Sequence, residues 1–140
     1  MLLTLAGTCA ALLILLPFLP WYAADLPGGT VRVSGIGASG ELWIVPPMGV
    51  AALAGAMFAV RFRRSLAAAL TVALAGGLAA GWSLRNAAVI PVRAVVEQAG
   101  GTAVVEAQVT LEPAAPLAVV AGALTALAGG LIALRVWMTP

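Results

Sequence analysis

The sequence predicts a mainly helical integral membrane protein. The expected form is a four-transmembrane-helix bundle, with a small extracytoplasmic β-sheet and a short helix built from its two outer loops. Three observations carry that expectation. Of 140 residues, 63% are hydrophobic and only 9% are charged, against roughly 25% charged in an ordinary soluble domain. A mean hydropathy of +1.11 leaves too little polar surface to cover the molecule in water. Apolar runs of near-spanning length recur along the chain, at about 2–19, 43–60, 65–84 and 114–134. The length has room for one domain, 1–140.

The first run, Leu2 to Leu19, carries no charge. At 1.5 Å per residue it covers about 27 Å, just enough for the hydrocarbon core. A secretory signal peptide is the competing reading, but the run lacks a basic start and Tyr22-Ala23-Ala24 is a poor cleavage site. The expectation is a retained helix, bent or ended by Pro17 and Pro20. Trp21 and Tyr22 then fall where an interfacial aromatic belt would lie.

Outer loop 20–42 changes composition. Pro27-Gly28-Gly29 is a turn signal, and Thr30-Val31-Arg32-Val33-Ser34 alternates polar and apolar with the period of a half-buried strand. Gly35, Gly37 and Gly40 make a plain return to the membrane, because their spacing is not that of a phosphate-binding loop and no lysine follows. The second run opens at Trp43 with Pro46-Pro47 in its first turns, where a missing N–H costs least. The third contains Gly77 and Gly81 at a GxxxG spacing that admits another helix closely. Trp82 marks its end.

Outer loop 85–113 reads in two parts. Val92, Val95, Val96 and Ala99 recur at helical spacing between Pro91 and Gly100-Gly101, which predicts a short amphipathic helix. Residues 104–111 then alternate as a strand, with a hairpin turning at Gly100-Gly101 as the alternative. A lone strand leaves its backbone unpaired, so this one is expected to pair with the strand at 30–36. The last run carries Gly122, Ala126 and Gly130 four apart, a second smooth face, and ends with Arg135 and Trp137. The two halves share one plan: helix, outer loop with a strand, then a helix opened by proline.

Charge sets the orientation. The sequence has no histidine, and its seven cations are all arginines. Arg61, Arg63 and Arg64 crowd the short turn 61–64 and Arg135 lies at the same end, with no acid among them. The outer loops hold Arg32, Arg85 and Arg93 against Asp25, Glu41, Glu97, Glu106 and Glu112, a net of minus two. The positive-inside rule places the turn and both termini in the cytoplasm of a bacterial plasma membrane. These arginines are too few and too dispersed for a nucleic-acid face. Cys9 is single, so no intrachain disulfide forms, and its apolar run makes it a small core residue.

Catalysis needs convergent acids, bases or metal ligands. The sequence offers no histidine, no cysteine cluster and no intramembrane carboxylate pair, so the expectation is a non-enzyme without cofactor or metal. A lone ion-coupled transporter would carry an ionisable residue at mid-membrane depth, and no span does.

Two family resemblances can be named, the first along the whole chain and the second one of architecture only. Trp21, the segment Val33-Ser34-Gly35, the helix Ala51-Ala52-Leu53-Ala54-Gly55, the arginine turn and an Ala/Gly-rich third helix together resemble small actinobacterial four-helix membrane proteins found with tryptophan-biosynthesis genes. The stretch Ile36 to Val45 is longer than that family implies. Trp21 with Gly40-Glu41-Leu42-Trp43 is also similar to the claudin-like plan, whose paired loop cysteines are absent here. Both resemblances imply a helper protein rather than an enzyme. The expected role is a non-catalytic accessory or assembly subunit, bound to a larger membrane protein or to copies of itself and to lipids. Interface anchors would be Trp21, Trp43, Trp82 and Trp137, and helix-packing glycines Gly77, Gly81, Gly122 and Gly130. The alternative role is a small carrier for an apolar or aromatic molecule or lipid, with Trp21, Trp43 and Trp82 at its mouth.

Overall fold

A computed structural model describes residues 1–62, 65–101 and 108–139. The chain is mostly helical, with one three-stranded antiparallel sheet. Helix α1 spans Leu2–Leu15 and tightens into a 3₁₀ turn at Leu16–Phe18, four residues earlier than the apolar run ends, because Pro17 cannot continue an α-helical ladder. Strand β1 (Pro20–Leu26) and strand β2 (Gly29–Ser34) form a hairpin. Its turn relies on Gly29, whose φ of +124° side chains avoid, and the Thr30 hydroxyl donates to the Asp25 carboxylate across it.

A short helix α2 (Gly35–Ala38) follows, capped by Ser34, whose Oγ accepts from the Gly37 N–H at 3.1 Å. A 3₁₀ turn at Gly40–Ile44 then feeds α3 (Val45–Arg61), with both prolines in its first turn as the sequence predicts. Helix α4 (Leu66–Ala88) begins at Ser65, whose hydroxyl caps the Ala68 N–H. Helix α5 (Val92–Gln98) buries Val95 and Val96. It ends in a Schellman cap, with Gly100 at φ +83° and the Gly101 N–H on the Val96 carbonyl. Strand β3 (Gln108–Leu111) and helix α6 (Ala114–Met138) complete the chain. Among the described residues the segment 85–113 thus holds a helix at Val92–Gln98 and a strand at Gln108–Leu111, and the stretch before Gly100-Gly101 is not one arm of a hairpin. Arg63, Arg64, Glu106 and the first part of the strand predicted at 104–111 lie outside the described residues.

The two strands expected to pair with each other do not. The sheet order is β2-β1-β3, so both flank β1, which alternation did not reveal. Residues Trp21 to Ala24 are all buried, so no polar face punctuates the strand. A register shift between Pro20 and Tyr22 bulges the strand at Trp21, which turns the indole inward.

The four longer helices close a ring in which α1 packs on α3 and α6, α4 packs on α3 and α6, and the α1–α4 diagonal barely touches. The connections make every neighbouring pair antiparallel. Size is sorted inside out. Ala6, Ala10, Ala52, Ala56, Ala75 and Ala128 fill the interior, whereas Leu12, Leu74, Leu78, Leu127 and Leu131 stand outside. The wide buried side chains gather where the helix ends meet the sheet: Leu13, Leu16, Trp21, Tyr22, Leu42 and Val95. Helices Gly40–Arg61, Leu66–Ala88 and Ala114–Met138 are long and apolar enough to cross a membrane, and Leu2–Phe18 is a shorter apolar helix.

Candidate interaction surfaces

The sheet end is rigidly tied to the bundle. Trp21 is fully buried; its Nε1–H donates to the Leu16 carbonyl at 2.8 Å. Gly35 lies flat on the indole, where a Cβ would meet ring carbons at 2.8 and 2.9 Å. Trp21 is thus a core residue under α2 and not an interfacial anchor, a consequence of the bulge that aims it inward. Tyr22, its neighbour, points the other way into the helix ends. Its hydroxyl donates to the Asn86 carbonyl at 2.9 Å, one of the last carbonyls of α4, which the helix itself cannot satisfy. Asn86 in turn donates through Nδ2 to the Trp82 carbonyl at 3.0 Å. Burial pushes the Tyr22 phenol up to about 12. Ser83, one turn below, is buried with no hydrogen-bond partner among the described residues.

Arg32, Arg85 and Arg93 each face a carboxylate. Arg32 lies 3.7 Å from Glu112, Arg85 lies 3.5 Å from Glu41, and Arg93 lies 2.9 Å from Glu97. The first joins β2 to the segment after β3 and the second joins α4 to the turn before α3. Apart from the half-buried Glu112 the partners are solvent-facing, so these pairs set register more than they add stability.

Helices α4 and α6 share the longest seam, and glycine makes it. A Cβ on Gly76 would stand 2.5 Å from the Ala126 nitrogen and 2.9 Å from the Gly122 oxygen. One on Gly122 would stand 2.7 Å from the Ala80 nitrogen, and one on Gly129 would collide with the Ala73 backbone. Gly122 therefore packs within this seam. Gly77, Gly81 and Gly130 do not, because nothing lies within 4 Å of a Cβ at any of them. Each is one residue, or 100° of helix, past a seam residue: Gly77 past Gly76, Gly81 past Ala80, Gly130 past Gly129. That step carries all three onto the outer side of the seam, where they are exposed with Ala123.

At the opposite end from the sheet stand the exposed residues Arg61 and Arg135. The Arg61 guanidinium lies 5.4 Å from the Phe62 ring centre, and Phe62 stacks on Phe58 at 4.5 Å. Trp137 is 77% exposed near the end of α6. Trp43 stands outside near the sheet end, edge-on to Phe18 at 5.9 Å, and Trp82 is half-buried. Among the described residues, no three His, Cys, Asp or Glu side chains gather as metal ligands would. Tyr22, expected in an aromatic belt, is buried against the end of α4; Asn86 and Gly76 are the residues that spacing did not single out, and the small-residue stripe Ala68, Val72, Ala75, Gly76, Ala79, Ser83 carries the signal for Gly76. Comparison with family models, with curated proteins and with solved structures finds no match for this chain.

Proposed function

We propose that the chain is a non-catalytic accessory or assembly subunit of a bacterial plasma-membrane complex. In this reading all four long helices span the bilayer, α1 as the shortest. The sheet lies outside and the arginine end lies in the cytoplasm, a reading supported by the charge asymmetry of the sequence under the positive-inside rule. The outward leucines meet lipid, which is where large apolar side chains belong in such a bundle.

One observation carries the docking role: the open face of Gly77, Gly81 and Gly130 beside the α4–α6 seam. The bundle uses a separate set of small residues for its own packing, so this outer set is left for a helix of a larger partner or of another copy. The resemblance to membrane proteins found with tryptophan-biosynthesis genes supports a helper role in the same direction. The carrier reading is weaker, because Trp21 would have to line its mouth and that indole is fully buried.

The test is the mass of the detergent-extracted complex from its native membrane, for the wild type and for Gly77→Leu with Gly81→Leu. The expected result is a wild-type particle well above 14.0 kDa that collapses to the monomer in the double variant, with the fold intact. An exact multiple of the chain mass would identify a homo-oligomer. A monomer in both would refute the docking role.

A further inference from the structure

A lateral groove of about 410 Å³ opens between α3 and α4 at the arginine end. Its floor is small and apolar, from Ala51, Ala54 and Gly55 on one wall and Ala68 on the other. The Thr71 hydroxyl on its rim is already committed to the Ala67 carbonyl at 2.9 Å. Within the groove, therefore, nothing asks for a polar ligand. Its mouth is different. Phe58 lines the groove, Phe62 stacks on Phe58, and the Arg61 guanidinium lies over Phe62. Past Phe58 this ladder of rings carries a cation at the end of α3, and among the described residues no carboxylate pairs with it. Ser65, the cap of the 23-residue helix α4, also lines the mouth, so the partial positive charge of that terminus adds to the arginine's.

We propose that this groove holds one acyl chain of an anionic phospholipid, with the lipid phosphate on Arg61. The inference rests on the membrane placement argued above. An apolar channel ending in a cation fits an amphiphile with an apolar tail and an anionic head. A zwitterionic lipid would carry its own cation to the same mouth and lose the advantage.

The experiment uses the purified full chain in detergent, doped with equal phosphatidylglycerol and phosphatidylcholine, with retained lipid read by native mass spectrometry. The wild type should retain phosphatidylglycerol over phosphatidylcholine by about fivefold, the gain of one arginine at an anionic headgroup. Arg61→Gln should remove that preference. Ala54→Trp, at an exposed position on the groove wall, should abolish retention of both lipids. Ala67→Leu on the facing wall is the second blocking variant if the first does not fold. Arg135→Gln at the same end should leave the ratio unchanged. Equal retention of the two lipids by the wild type, full retention in a folded blocked variant, or an equal loss in Arg135→Gln would each overturn the site. A chain released from membranes without detergent would overturn the placement itself. A detergent-dependent chain with no lipid preference would overturn the lipid site alone.

Discussion

Gly76 and Gly77 are adjacent in α4 and identical in chemistry, yet the fold assigns them opposite roles. Alanine at either position brings the same gain in helix propensity, about 1 kcal/mol. At Gly77 the new methyl meets nothing within 4 Å. At Gly76 it would stand 2.5 Å from the Ala126 nitrogen, about 0.9 Å short of the 3.4 Å where ordinary contact begins. The obstacles include backbone atoms of α6, which cannot rotate away, so the two helices must part. Overpacking of this kind costs about 2 kcal/mol. Because the propensity gain is common to both, the difference between Gly76→Ala and Gly77→Ala isolates the clash. For a chain of this length that is roughly 6 °C in unfolding midpoint. The molecule carries its own probe: Cys9, the single cysteine, is buried, so a thiol-reactive dye reports unfolding in detergent. Gly77→Ala should melt slightly above the wild type and Gly76→Ala below it. The reverse order, or equal midpoints, would refute the helical phase on which both the seam and the open outer face depend.

Other consequences are as direct. Gly35→Ala should destabilise by about 1–3 kcal/mol, because its methyl would press into the Trp21 ring; an unchanged midpoint and unchanged tryptophan emission would contradict the packing. Tyr22→Phe should cost about 1 kcal/mol by uncapping the Asn86 carbonyl. In the wild type the raised phenol keeps its proton in the fold to a higher pH than in the unfolded chain. Stability should therefore fall as pH rises from about 10 toward about 12, and in a thermal-midpoint series Tyr22→Phe should lie below the wild type at neutral pH and lack this slope. Leu74→Arg, at a side chain 66% exposed, would be harmless on a water-facing surface. Against lipid it should reduce insertion by about 3 kcal/mol in a glycosylation-reporter assay. Normal insertion would argue against lipid on that face.

The long helices were legible because apolar length is a strong signal, and so were the prolines that open α3 and the amphipathic turn of α5. What failed was phase. These helices are apolar on their exposed sides as well as their buried ones, so the usual contrast between wet and dry faces disappears. Gly76-Gly77 and Gly129-Gly130 then offer two equal choices each, and within the chain it is Gly76 and Gly129 that line the seam. Side-chain size keeps the phase that polarity loses, since the buried stripe is the small one. Strand β1 failed for a related reason. Alternation identifies a strand with one wet face, and Trp21-Tyr22-Ala23-Ala24 has none. The aromatic pair was read as a membrane belt, although the bulge drives one ring under the sheet's cover and the other into the helix ends. The pairs Arg32–Glu112 and Arg85–Glu41 were beyond sequence altogether, because they join segments far apart in the chain.

The central position of β1 also bears on synthesis. The strand leaves the ribosome just after the first helix, and β2 follows at once to cover one edge. Its other edge waits for Gln108–Leu111, by which time α3, α4 and α5 have been made. Until then the nascent chain holds a bare row of backbone donors and acceptors, the feature that invites pairing with foreign strands. Its own β3 arrives just ahead of α6, so the cap is completed only as the last helix takes its place in the ring. A chain truncated before that point keeps a sticky edge, and quality control need recognise nothing more specific than that.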